Sequence, residues 1–110
     1  MPSYSKNEIV LVRYPFSDLT SAKVRPAVIV NAPHASQDVL IVPLTSGTTA
    51  LLVDEFVLAE WKSAGLNVET AAKPGIFTIH QKLILKSVGR LLTVDAEKLE
   101  NSLREWLDLH

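Results

Sequence analysis

The stretch Val24-Arg25-Pro26-Ala27-Val28-Ile29-Val30 decides the architecture. Its last four residues are small or β-branched with no polar alternation, and the turn-forming Asn31-Ala32-Pro33 follows, the pattern of a strand buried on both faces. Pro26 fixes its own φ and drives Arg25 into the extended region, so the mouth of this strand is stiff before any tertiary contact forms. A stiffly held, permanently charged guanidinium fork is suited to gripping an oxyanion. The alternative is an edge arginine whose stem covers apolar surface.

Working outward, residues 8–14 read as a preceding strand stopped by Pro15, and 16–23 as a polar connection whose Ser, Asp and Thr side chains bond locally to backbone. Residues 38–44 form a third, nearly all-apolar strand after a turn at 31–37, so the first three strands make a meander. A fourth strand is expected over 51–58, a short helix over 59–64 capped by Gly65, and further extended pieces at 76–79 and 88–91. The clearest helix starts with Thr93 as N-cap and Asp95 in its first turn. It presents Ala96, Leu99, Leu103, Trp106 and Leu107 on one stripe and charged residues opposite. The predicted class is α+β, mainly β: five to six short strands forming a small β-barrel or half-open roll, with a C-terminal helix across one side.

With 110 residues and no break in composition, the chain is expected to be one domain spanning 1–110. At this length it buries upwards of ~60% of its unfolded surface and gains from a partner subunit. Hydrophobic residues make up 47% and charged ones 21%, without an 18-residue apolar run, so no membrane partner is expected. No apolar stretch follows Met1, which makes the cytoplasm the expected location. The absence of cysteine excludes thiolate nucleophiles, disulfides and zinc ribbons, and His34, His80 and His110 lack a metal-binding spacing, so no metal site is expected. A net charge of −1 with a pI near 6.3 argues against holding nucleic acid by bulk electrostatics. Any polyanion site must be a local cluster.

One such cluster follows from the hairpin. Arg25 precedes the second strand, and Thr45-Ser46, the start of the hydroxyl-rich segment Thr45-Ser46-Gly47-Thr48-Thr49, succeeds the third, so antiparallel pairing of the two strands would place the guanidinium and the two hydroxyls at one end of the sheet. Charge-assisted bonds from arginine and neutral donors from threonine and serine suit a phosphate. An ST-turn, with the hydroxyls bonded to their own backbone, is the structural alternative.

The order of Glu8-Ile9-Val10-Leu11-Val12, Tyr14-Pro15-Phe16, Arg25-Pro26-Ala27-Val28-Ile29-Val30, Val42-Pro43-Leu44-Thr45-Ser46, Gly65-Leu66 and Val88-Gly89-Arg90-Leu91 resembles the PemK/MazF family of toxins from bacterial toxin–antitoxin pairs. The resemblance runs from about Asn7 to Leu107 and implies an SH3-like barrel, a homodimer and a cognate antitoxin that occupies the RNA groove. It also implies metal-independent, sequence-selective endoribonuclease action on single-stranded RNA. By the same resemblance Arg25 and Thr45 are the catalytic residues, Arg25 against the scissile phosphate and Thr45 as its hydroxyl partner. Ser46, Thr70, Lys73, Phe16, Phe77 and His80 become candidate RNA-binding positions, with Thr70 where relatives use a serine to hold the RNA or the loop.

Some relatives carry an Arg followed two residues later by an Asp, a proposed acid and base pair. Lys73 and Gly75 stand there instead, and His80 stands where an aspartate is common. A neutral imidazole can act as a base, whereas arginine, always protonated, serves electrostatic stabilisation first. Arg13, Lys23, Lys73, Lys82, Lys86 and Arg90 are further candidates for lining an RNA groove, and Tyr14, Phe16 and Phe77 are the candidate stacking platforms of a chain with only 6% aromatics. Two rivals stand beside the nuclease: a non-enzymatic barrel toxin acting on a protein such as gyrase, and a degenerate RNA-binding member.

Overall fold

The computed structural model describes residues 4–14, 23–31, 38–48 and 55–109. Phe16, the turn at 32–37 and the first part of the expected fourth strand lie outside these residues. Three long strands come first: β1 (Glu8–Tyr14), β2 (Lys23–Ile29) and β3 (Asp38–Thr45). Two-residue strands β4 (Phe56–Val57) and β5 (Ala71–Ala72) follow. Then come β6 (Phe77–His80), a 3-10 turn over Gln81–Leu83, β7 (Ile84–Arg90) and helix α1 (Thr93–Trp106). All pairings are antiparallel in the order β4-β5-β3-β2-β1-β7, with β6 on β3, and the path is not closed into a barrel. The half-open form is therefore the one adopted, with seven strands among the described residues where five to six were expected, the two-residue β4 and β5 making the difference.

Ala27, Val28 and Ile29 are all buried, which bears out a strand covered on both faces. Alternation sends Val28 into a cluster with Ile9, Val42, Leu44, Leu58, Leu91 and Leu99 of α1. Ala27 and Ile29 point the other way, into a second cluster with Val10, Val12, Val39, Ile41, Ile79 and Ile84. We call these the helix face and the inner face.

Several boundaries depart from the sequence-based expectation. Residues 59–64 form a single helical turn, closed by the bond from Ala64 N–H to the Glu60 carbonyl, because one such bond is too little to propagate a helix. Gly65 ends it as expected: at φ +101° it lets its own N–H reach Lys62 O and Leu66 N–H reach Trp61 O. The last strand begins at Ile84 rather than Val88, since two register shifts against β1 erase the alternation that sequence patterning relies on. The N-cap of α1 is Leu92 rather than Thr93 and makes no side-chain cap bond. Leu107 lies beyond the helix and is more than half exposed, because the chain turns left-handed at Asp108 (φ +56°) and closes the end with Leu109 N–H on Arg104 O.

Asp95 takes a role that its place in a first turn does not announce. It is fully buried, and its two carboxylate oxygens accept from Ala59 N–H at 2.7 Å and Glu60 N–H at 2.9 Å. One helix thus caps the isolated turn of another segment, and the charge sits at the positive ends of both. Asp95→Ala strips the cap and is expected to cost about 3 kcal/mol, since bonds to a charged acceptor are worth roughly 1.5–3 kcal/mol each. A drop in melting temperature of roughly 10–20 °C follows. Thermal unfolding with no change in midpoint would show that water replaces the carboxylate without loss.

Candidate functional site

Pairing of β2 with β3 runs through Ala27↔Pro43, Val28↔Val42 and Ile29↔Ile41. Continuing the same register by two residues sets Arg25 against Thr45, at the shared end of the two strands. Arg25 is also the ladder partner of Val12 on β1, an inner-face residue, and Thr45 continues the inner-face series Val39, Ile41, Pro43 along β3. By strand alternation Arg25 and Thr45 therefore belong to the same face of the sheet, beyond the last β2–β3 pair at Ala27↔Pro43. Arg25 is exposed, and among the described residues no carboxylate forms an ion pair with it.

Thr45 Oγ1 accepts from Gly47 N–H at 3.1 Å. This is the ST-turn that the sequence allows, and it does not compete with a site: the bond uses a lone pair and keeps the hydroxyl proton available as a donor. Ser46 follows, exposed. On its other edge β3 pairs through Leu44↔Ala72 and Thr45↔Ala71, and Lys73 N–H then donates to Pro43 O at 3.0 Å. Lys73 lies across β3 from Ala27, exposed, on the Arg25 and Thr45 face. Phe77, opposite Ile41, shares that face and is 41% exposed; it sits four residues along β3 from Thr45, about 13 Å. Arg25, Thr45, Lys73 and Phe77 thus form a strip of two cations, a hydroxyl and an aromatic ring.

Other candidates lie elsewhere. His80 is the ladder partner of Asp38, seven residues along β3 from Thr45, roughly 23 Å of extended chain. Its Nδ1 accepts from Lys82 N–H at 3.0 Å, opening the 3-10 turn, so its geometry is that of a turn histidine and not of a base beside Thr45. Thr70 is 2% exposed and its hydroxyl donates to Val68 O at 2.8 Å, a loop-holding bond. Arg13 pairs with Val24 and Lys86 with Leu11, positions of the helix face. Arg90 stands at the far end of β1, where Nη1 donates to Lys6 O and, with Lys6, Asn7 and the start of α1, it lines a pocket of about 360 Å³. None of the strip residues reaches that pocket.

A family model described as PemK-like, MazF-like toxin of type II toxin–antitoxin system matches residues 5–107. The chain belongs to this toxin family. Comparison with curated proteins gives no match. Among solved structures, an endoribonuclease in complex with its cognate antitoxin from a mycobacterial species has a TM-score of 0.78 at 16% identity, with 100% of this chain and 98% of that one covered. A second mycobacterial endoribonuclease gives 0.75 at 19% identity over 99% and 95%. Mycobacterium tuberculosis toxin MazF-mt6 gives 0.73 at 20% identity over 94% and 98%. At these identities the likeness is one of fold.

The toxin carries one further contact that no local sequence pattern announces. Thr48 Oγ1 donates to Glu69 Oε1 at 2.9 Å, tying the end of the Thr45 turn to the segment before β5. The two residues are 21 apart and belong to no common motif, so nothing local announces them. Gly75 has φ +151° and leaves room beside the Phe77 ring, whose Cε2 a β-carbon there would meet at 3.6 Å. No described helix is long and apolar enough to cross a membrane.

Proposed function

We propose that this toxin is a metal-independent endoribonuclease that cleaves single-stranded mRNA at preferred sequences, with the scissile phosphate held between Arg25 and Thr45. The observation that carries the reading is the antiparallel β2–β3 register, which, continued two residues past Ala27↔Pro43, puts Arg25 and Thr45 on one face at the same end of the pair. Family membership and the fold shared with two mycobacterial endoribonucleases support it. The neighbour seen with its cognate antitoxin supports an antitoxin partner for this chain as well. A homodimer, a single domain and a cytoplasmic setting belong to the same proposal.

In the proposed reaction the 2′-oxygen attacks the adjacent phosphorus and the bond to the 5′-oxygen breaks. The 2′-OH gives up its proton and the leaving 5′-oxygen gains one, so the products are a 2′,3′-cyclic phosphate and a 5′-OH end. Negative charge grows on the non-bridging oxygens during attack. Arg25 meets it with a forked, charge-assisted donor, and Thr45, its Oγ1 already bonded to Gly47 N–H, adds a neutral one. Lys73 and the Phe77 ring extend the contact along the strip, the cation to a neighbouring phosphate and the ring to a base. Ser46 borders the hydroxyl end; Thr70 acts through the loop that it braces.

Incubation of the purified toxin with a long, weakly structured RNA in EDTA tests the proposal. Fragments with 5′-OH and 2′,3′-cyclic phosphate ends are expected, and a 2′-deoxy substitution at the cut site should stop cleavage. Intact RNA across a broad set of sequences would instead shift the reading to a protein target or a degenerate RNA-binding toxin.

A further inference from the structure

The turn that carries Thr45 is held at both ends. At its start, Thr45 pairs with Ala71 of β5; at its end, Thr48 Oγ1 donates to Glu69 Oε1 at 2.9 Å. Between these two points Gly47 N–H reaches back to Thr45 Oγ1. The receiving segment is itself anchored. Thr70 is buried, its hydroxyl bonds Val68 O, and its carbonyl accepts from Leu58 N–H at 2.9 Å, which ties residues 68–70 to the helix-face core. Glu69 is exposed on this rigid base, next to the end of the sheet where an anionic substrate would bind.

A carboxylate there is unfavourable for affinity, because its charge opposes an incoming phosphate. Among the described residues it serves as the acceptor for Thr48. We infer that the Thr48–Glu69 bond is a positioning device: it closes the 45–48 turn onto residues 68–71 and so keeps the Thr45 hydroxyl in the orientation that leaves its proton free for the phosphate. Glu69 and Thr48 touch no substrate and act through Thr45. The inference rests on the nuclease reading for its catalytic consequence, but the closure of the turn stands on the hydrogen bonds alone.

The two layers are tested together, by RNA cleavage and by amide exchange at Gly47. Thr48→Val and Glu69→Ala should each lower kcat about tenfold, as expected when a reacting group is misplaced, with KM nearly unchanged in Thr48→Val and unchanged or lower in Glu69→Ala, where the opposing charge is gone. Both should also speed exchange of the Gly47 amide, and the double variant should be no worse than either single one, since the two residues make one bond. Thr48→Ser and Glu69→Gln, which retain a hydroxyl and a carbonyl acceptor, should restore both readouts. Glu69→Ala that cleaves as well as the parent or better, or Glu69→Gln as impaired as Glu69→Ala, overturns the inference. So does Gly47 exchange that is the same in every variant. If the parent cleaves no RNA while Gly47 responds as described, the nuclease reading falls and the device closing the turn stands.

Discussion

Arg25→Ala is expected to lower RNA cleavage by a hundredfold or more while the toxin still folds and still binds its antitoxin. Removing one preorganised donor from a developing oxyanion typically costs about 3 kcal/mol of barrier. Arg25 is exposed and its strand pairing with Val12 is made by backbone, so the fold has little stake in the side chain. Arg25→Lys keeps the charge but not the two-pronged geometry, and should fall between parent and alanine variant. Single-turnover cleavage of a defined oligonucleotide gives the comparison. An alanine variant that cleaves within a few-fold of the parent would remove Arg25 from the reaction, and with it the phosphate site.

The largest effect on stability is expected from Gly89→Ala. Here two backbones cross without side chains between them: a β-carbon on Gly89 would lie 1.8 Å from the Ala64 carbonyl oxygen, and one on Gly65 would lie 2.5 Å from the Val88 oxygen. Because the obstacle is backbone, no rotamer change relieves it; the turn at 59–64 or β7 must move. Both are tied down, the turn by Asp95 and β7 by the Ile9↔Gly89 pair. Overpacking that a core can absorb costs about 1–3 kcal/mol, and this clash should reach or exceed that range. That is a large share of the roughly 5–15 kcal/mol available to a small domain. The urea midpoint should fall sharply, whereas an unchanged midpoint would mean that the crossing is looser than the distances state. The crossing lies on the helix face, away from Arg25 and Thr45. Fractions of Gly89→Ala that stay folded at low temperature should therefore retain cleavage.

Much of the proposed Arg25–Thr45 site is legible in the chain because it depends on one local event. A meander of two apolar strands forces the start of one against the end of the other, and Arg-Pro stiffens that start. The resemblance to the toxin family extends over the same residues, and the matching family model confirms it. Lys73 and Phe77 stand in the sequence as separate candidates, and only the pairing of β5 and β6 on one edge of β3 puts them in line with Thr45. His80 stands beside them in the chain, and the same pairing carries it to the far end of β3. Strand β7 reads four residues short because its bulges hide the period of two on which such reading depends. Thr93 reads as the cap of α1 from its residue type, but the chain enters the helix one residue earlier, at Leu92.

The sequence by itself determined the buried strand around 27–29, the hairpin logic that joins Arg25 to Thr45, the amphipathic C-terminal helix and the left-handed stop at Gly65. Each of these follows from propensity or periodicity within a few residues, where steric and burial preferences act on the chain directly. Only the tertiary structure decided that Asp95 caps the turn at 59–64, that Gly65 and Gly89 cross, and that Glu69 holds Thr48. These pairings join residues far apart in the chain, and their geometry is set by the burial of two apolar faces at once, which no local pattern encodes.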